Sequence, residues 1–271
     1  MSSRGRSGRT ERDARRERQA AMSESLEVWT RPDRGRRRPR YTRDEIAAVA
    51  IRIIDSEGLE ELSMRRLASE LGAGTMTLYH YVHNKDELLA LVSDAIMAEL
   101  LVPDGELPTG WREAITLIAH RSREAVRRHP WMLDVRDDPA PGPNGVRHWD
   151  QSMQAVASLD ISVGERFELV SAVDEYVFGF CLMERMNGPL EDDGAAPGPE
   201  FDEMRDYVDG LIATGDYPAL AAIAVAPGLE EAWTDMQRQI TDPGRFDRSL
   251  QRLLDGFEAA LGRSGARRRK R

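Results

Sequence analysis

The stretch LGAGTMTLYHYVHNKDELL, residues 71–89, gathers two glycines, two threonines, two tyrosines and two histidines between apolar helical segments. Hydroxyls at this density can reach base edges or phosphates, and methyl and ring carbons can meet thymine methyls in a major groove. The local pattern gives these groups a frame. Ser63 can cap a short helix whose apolar set is Met64, Leu67, Ala68 and Leu71, "GAG" at 72–74 makes a turn, and a third short helix runs from Thr75 to about Val82. A short helix, a glycine-containing turn and a second short helix form the helix-turn-helix signature. Gly72 suits a turn position that needs positive φ. With Leu78 and Val82 facing inward, Thr75, Met76, Thr77, Tyr79, His80 and Tyr81 point outward or sideways. Lys85 lies in the first turn of the next helix, where a phosphate is favoured anyway.

Other chemistry is scarce. His80 and His83 have the i, i+3 spacing of metal ligands, but no third ligand is near in sequence and DNA contact explains His80 more simply. No metal and no cofactor are expected. Cys181, the single cysteine, sits in YVFGFCLME and reads as a small buried apolar residue. No glycine-rich phosphate loop, serine elbow, zinc-protease motif or triad spacing occurs, so an enzyme is not expected.

The positioning elements read as helices throughout. Thr42 and Glu45 make a capping box before Ile46, Val49, Ala50, Ile53 and Ile54. Asn84 and Glu87 make a second one, opening a helix that continues to Leu101 before Pro103. Further helices are expected near 110–129, 144–159, 163–186 (capped by Ser162 and Glu165), 201–213, 218–225, 229–240 and 245–261, with a loop at 187–200. No alternating strand pattern appears. The fold class is all-α: an N-terminal helix-turn-helix unit over 41–88 and a larger helical domain over 89–262.

Charge is polarised. The net charge is −9. Residues 1–43 carry 14 arginines against 6 acids, and the tail 263–271 adds five arginines and one lysine, so the body 44–262 carries −23. Residues 1–40 read as a mostly disordered basic arm. Within 44–90, four basic residues face nine acids, so phosphate binding needs help from the arginines at 34–43, Arg38 and Arg40 among them. Such an arm can follow the backbone or enter the minor groove. No apolar run approaches the ~20 residues of a membrane span, and no secretory signal stands at the start, so a cytoplasmic protein without a membrane partner is expected.

Residues 41–96 resemble the N-terminal domain of the tetracycline-repressor (TetR) family, most specifically in LSMRRLASELG, TLYHYV and NKDELL. The resemblance implies a homodimer whose post-turn helix enters the major groove of a DNA operator, and whose larger domain takes a small molecule that releases the DNA. It matches Arg65 to a base- or phosphate-contacting position, and Thr75, Met76 and Thr77 to the first turn of the recognition helix. It matches Tyr79 and Lys85 to phosphate contacts, and His80 and Tyr81 to further contacts. Met76 stands where several members have proline, so base preference cannot be copied. The expected function is a ligand-released repressor at a palindromic operator; a DNA-binding activator or nucleoid-type protein without ligand control is the alternative.

The long helix 163–186 carries one apolar line of Leu169, Val173, Tyr176, Phe180 and Met183 and a second of Val170, Val177 and Cys181, so it must bury more than one face. Resemblance implies that it and the last helix (Phe246, Leu250, Leu253, Leu254, Phe257, Leu261) pair with their mates across a dimer. For an apolar or aromatic effector the candidate lining is Trp111, His120, Trp131, Trp149, Met153, Tyr176 and Phe180.

Overall fold

Caps set the starts of the helices. In the computed structural model, which describes residues 22–23, 25–31, 40–135, 139–186, 199–223 and 229–268, Thr42 and Glu45 form the reciprocal capping box of α1 (Arg43–Glu57). Gly58, at φ 98°, ends it. The Ser63 hydroxyl accepts from the Arg66 amide at 3.2 Å and opens α2 (Met64–Glu70). The third helix, α3, is only Thr75–Leu78, shorter than expected, and the chain continues in turns through Tyr81.

Asn84 caps α4 (Lys85–Leu100) through the Glu87 amide at 2.7 Å. The return bond differs from the expected box: the Glu87 carboxylate accepts from the His83 amide at 2.8 Å. A 16-residue helix follows that packs on α1, on α5 (Trp111–Arg128) and on α6 (Pro143–Ala155). Asn144 and Gly145, in the first turn of α6, meet Asp94 of α4, whose carboxylate accepts from Asn144 Nδ2 at 3.0 Å and from the Gly145 amide at 2.9 Å. α7 (Val163–Met186) opens on a Ser162–Glu165 capping box, as expected.

The described residues up to Leu182 form one compact unit and those from Met183 onward a second. The core of the first joins Ile46, Ile53 and Ile54 of α1 to Leu67, Leu78, Leu88 and Ile96. The second contains α8 (Pro199–Ala213), α9 (Pro218–Ile223), α10 (Leu229–Thr241) and α11 (Arg245–Arg268), where Phe246, Leu250 and Leu254 are fully buried. No strand occurs among the described residues, and no described helix is long and apolar enough to cross a membrane.

One segment departs from expectation. Residues 25–30, inside the stretch read as disordered, are helical. Ser25 and Val28 are fully buried and Trp29 packs on the same core. An i, i+3, i+4 face of Ser25, Val28 and Trp29 finds partners far along the chain, which offset its ordering entropy. The Trp29 indole N–H donates to the Ala140 carbonyl at 3.2 Å, and the Ala140 amide donates to Ser25 Oγ at 2.8 Å. Arg31 then donates to the buried Glu87 carboxylate. Residues 1–21, 24 and 32–39 of the arm, Arg38 included, lie outside the described residues.

Candidate nucleic-acid interface and ligand cavity

The turn between α2 and α3 is built by Gly72, at φ 61°, with the Ala73 amide donating back to the Ala68 carbonyl at 2.9 Å. That pairing closes the end of α2 with a left-handed residue, which a Cβ would strain. Leu78 is the buried residue of α3, at 0% exposure. It pins a four-residue helix whose other side chains face outward: Met76 is 75% exposed, Tyr79 and His80 are exposed, and Thr75 and Thr77 are half-buried. Lys85 is exposed at the first residue of α4. Arg65 is exposed on α2. Its neighbour Arg66 is held by Glu57 at 2.6 Å and Glu70 at 2.8 Å, and its guanidinium holds the Glu57 carboxyl below the usual range.

Tyr81 is placed differently from the other contact candidates. It is half-buried, and its hydroxyl accepts from the backbone amides of Arg40, at 3.1 Å, and Tyr41, at 3.4 Å. Its ring meets Tyr41 edge-on, with centroids 6.2 Å apart, and the Tyr41 hydroxyl donates to the Leu71 carbonyl. Tyr81 therefore fastens the inner end of the basic arm beside the recognition turn. The arm's other described end is fastened at Arg31 on Glu87. His83, read beside His80 as a metal-like pair, instead lies with Glu27 and Glu87, where Arg31 already occupies the Glu87 carboxylate.

The first unit also holds a cavity of about 680 Å³. Ser93, Asp94 and Met97 of α4 border it, with His148, Trp149 and Ser152 of α6. Phe167, Val170, Ser171, Asp174 and Phe178 of α7 close another side. Trp131 and Met132 of the 3₁₀ turn Pro130–Asp134 line it too, as do Pro139–Gly142 and Met22. Of the sequence-based candidates, Trp131 and Trp149 are there; Trp111, His120, Met153, Tyr176 and Phe180 are not.

The reasons are geometric. No residue of α5 borders the cavity, which removes Trp111 and His120. On α7 the lining residues sit at i, i+3, i+4, i+7 and i+11, one stripe of a 3.6-residue helix. Tyr176 and Phe180 lie on roughly the opposite side, Phe180 beneath the Arg123 guanidinium at 5.1 Å. Met153 follows Trp149 by four residues, at the flank of the α6 stripe, and does not border the cavity.

Sequence reasoning missed Asp94, His148 and Asp174. Asp94 is raised above the ordinary carboxylate range by burial, against the bonds from Gly145 and Asn144 that lower it. Burial pushes His148 down, so it is neutral at physiological pH, and its Nδ1 is buried without a partner. Asp174 is pushed up to about 6, by burial first and by the neighbouring Glu175 second. The one available signal was that Ser171, Asp174 and Phe178 interrupt the apolar lines of a helix buried on several sides.

The cavity and the helix-turn-helix unit share side chains. Trp131 lines the cavity, and its indole N–H donates to Asp55 Oδ1 of α1 at 2.6 Å. The same oxygen meets His129 Nδ1 at 2.7 Å. α4 carries Lys85 at its head and Asp94 and Met97 on the cavity wall. Trp131 and α4 therefore each touch both the cavity and the helix-turn-helix unit.

Comparison with known proteins agrees with this architecture. The description "Bacterial regulatory proteins, tetR family" matches residues 46–92, and "Tetracyclin repressor-like, C-terminal domain" matches 103–261. The HTH-type transcriptional repressor DrrR1 of Streptomyces coeruleorubidus is 31% identical over 95% of this chain and 92% of its own length. An HTH-type transcriptional regulator of Saccharopolyspora erythraea is 30% identical over 87% of this chain and 92% of its own. Apo ActR of Streptomyces coelicolor superposes with a TM-score of 0.64 at 29% identity, covering 84% of this chain and all of ActR. ActR in complex with actinorhodin gives 0.62 at 30% identity, covering 82% of this chain and 99% of ActR. The chain belongs to the TetR family of bacterial transcriptional regulators.

Proposed function

We propose that the protein is a repressor that a small molecule, bound in the cavity of the first unit, releases from a palindromic DNA operator. The observation that carries this reading is Trp131, whose ring borders the cavity while its N–H holds Asp55 of the first DNA-binding helix. The exposed set of Thr77, Tyr79, His80 and Lys85 supplies groove and phosphate contacts. The relatives point the same way: DrrR1 is named a repressor, and ActR has been seen with actinorhodin.

A homodimer fits the apolar surface of α7, where Leu182 and Met183 are exposed although Val177 and Cys181 on the same helix are buried. Two recognition helices must then keep the spacing of half-sites about one helical turn apart. Ligand acts by tilting α4 and changing that spacing, since the acidic body cannot itself favour DNA.

Linkage gives the test. A ligand that weakens operator binding by some factor must be bound more weakly in the presence of operator by the same factor. Ligand affinity is therefore measured with and without saturating operator. Unequal affinities in the expected direction support release; equal affinities, for a compound shown to occupy the cavity, reject it.

A further inference from the structure

The walls of the cavity carry charge of one sign. Among the described residues no lysine or arginine lines it, whereas Asp94 and Asp174 both do. The two carboxylates are not equivalent. Both Asp94 oxygens are taken by the start of α6, Oδ2 by Asn144 and Oδ1 by the Gly145 amide. Asp174 projects from the middle of α7 into the same space, where burial already disfavours its ionised form. A desolvated carboxylate without a cation is costly, and an opposite charge within a few ångströms reverses that cost.

Around Asp174 the walls are flat and apolar. Phe167 and Phe178 flank it on α7, and Trp149 stands edge-on to Phe167, with centroids 6.2 Å apart. The partnerless His148 Nδ1 adds one neutral hydrogen-bonding site. Rings of this kind hold a planar ligand, and their faces attract cations as well.

We propose that the cavity selects a planar aromatic ligand bearing a protonated amine, with the amine paired to the Asp174 carboxylate and the rings held against Trp149, Phe167 and Phe178. This rests on the reading of the cavity as the effector site. Among the described residues, an anionic ligand of the same shape meets two carboxyls and no cation. A neutral one leaves Asp174 buried and uncompensated. The selection is by charge as well as by shape.

The experiment uses the full chain without DNA and three tricyclic probes of similar size: proflavine, a planar cation; acridone, which is neutral; and anthraquinone sulfonate, an anion. Binding is followed by calorimetry and by quenching of tryptophan fluorescence, with Trp149→Phe reducing the quench for any probe seated in the cavity. Proflavine should bind about ten-fold or more tighter than the other two, the size of one charge-assisted hydrogen bond. Asp174→Asn, nearly the same shape, should erase that preference, weakening proflavine while acridone, no longer set against an uncompensated carboxylate, binds at least as tightly as before. Equal binding of the three probes, tighter binding of the sulfonate, or a preference that survives Asp174→Asn overturns the charge selection but leaves the cavity as effector site. If none of the probes quenches, the cavity reading falls together with it.

Discussion

Glu87 is a buried carboxylate of the first unit and Asp174 a half-buried one, and they have been treated in opposite ways. Around Glu87 the chain supplies every partner: the Arg31 guanidinium on one oxygen, and the His83 amide on the other at 2.8 Å. Around Asp174 it supplies apolar rings and a second acid, Glu175, and the carboxyl is pushed up to about 6. A fully partnered buried charge holds elements together, here the segment 25–31 onto the head of α4. A carboxylate with no cationic partner among the described residues, set in an apolar cavity, carries a cost that an incoming cation can offset. The two regions differ in what they are completed by: one by the fold, the other by a ligand.

The largest effect should come from breaking the first. Glu87→Ala leaves Arg31, whose side chain is 18% exposed, with only the exposed Glu27 at 3.9 Å as counter-charge and frees the His83 amide. Breaking one side of a buried pair costs about 3 kcal/mol, which thermal or denaturant unfolding will read directly. Arg31→Ala in the same background should add little, because the pair is already lost. Additive losses would mean that the two side chains do not act as a pair, and the contrast with Asp174 would lose its first half.

Asp174→Asn should move stability the other way. The folded carboxyl is pushed up to about 6 from its ordinary 3.8, so the native state holds a proton in that window that the unfolded chain has given up. Wild-type stability therefore falls as pH rises from about 4 to 6, and the ionisation cost is fully present above 6. The amide removes that cost. A gain of about 1–2 kcal/mol is expected at neutral pH, after allowing for the partial solvent access of the site, and it should fade as pH is lowered toward 4. A loss of stability at neutral pH would show that Asp174 has structural partners and belongs with Glu87.

How far the sequence reveals each region follows from how each is assembled. The DNA-binding unit is contiguous: Ser63, Gly72, Leu78 and Asn84 cap, turn, pin and restart the chain within some twenty residues, and each signal is local. The capping boxes at Thr42 and Ser162 are read correctly for the same reason. The cavity takes its walls from α4, α6, α7, the turn after α5 and the N-terminal segment. Periodicity finds the apolar line of a helix, and on α7 that line (Leu169, Val173) is core, while the stripe with Ser171 and Asp174 looks like solvent-facing surface. The segment 25–30 is missed because Ser25, Val28 and Trp29 are a weak pattern inside an arginine-rich stretch, and their partners Ala140 and Glu87 are remote in sequence.

The smallest effect tests whether partnering by the fold also serves DNA. Tyr81 resembles Glu87 in having its partners supplied by the chain: its hydroxyl accepts from the Arg40 and Tyr41 amides at 3.1 and 3.4 Å. One bond is long and the partner of the other is exposed, so Tyr81→Phe should cost only about 0.5 kcal/mol of stability. The ring contact with Tyr41 survives the change. What the hydroxyl fixes is the exit of the arginine-rich arm, and a looser arm contributes less of the sequence-independent phosphate attraction. Operator affinity should therefore fall two- to three-fold, roughly equally for all operator variants, and its dependence on salt should become slightly shallower. Thr77→Ala gives the contrast, since loss of a base contact weakens binding at particular positions only. A Tyr81→Phe protein that loses preference at one base pair would place the hydroxyl in the groove on DNA and end its assignment as the anchor of the arm.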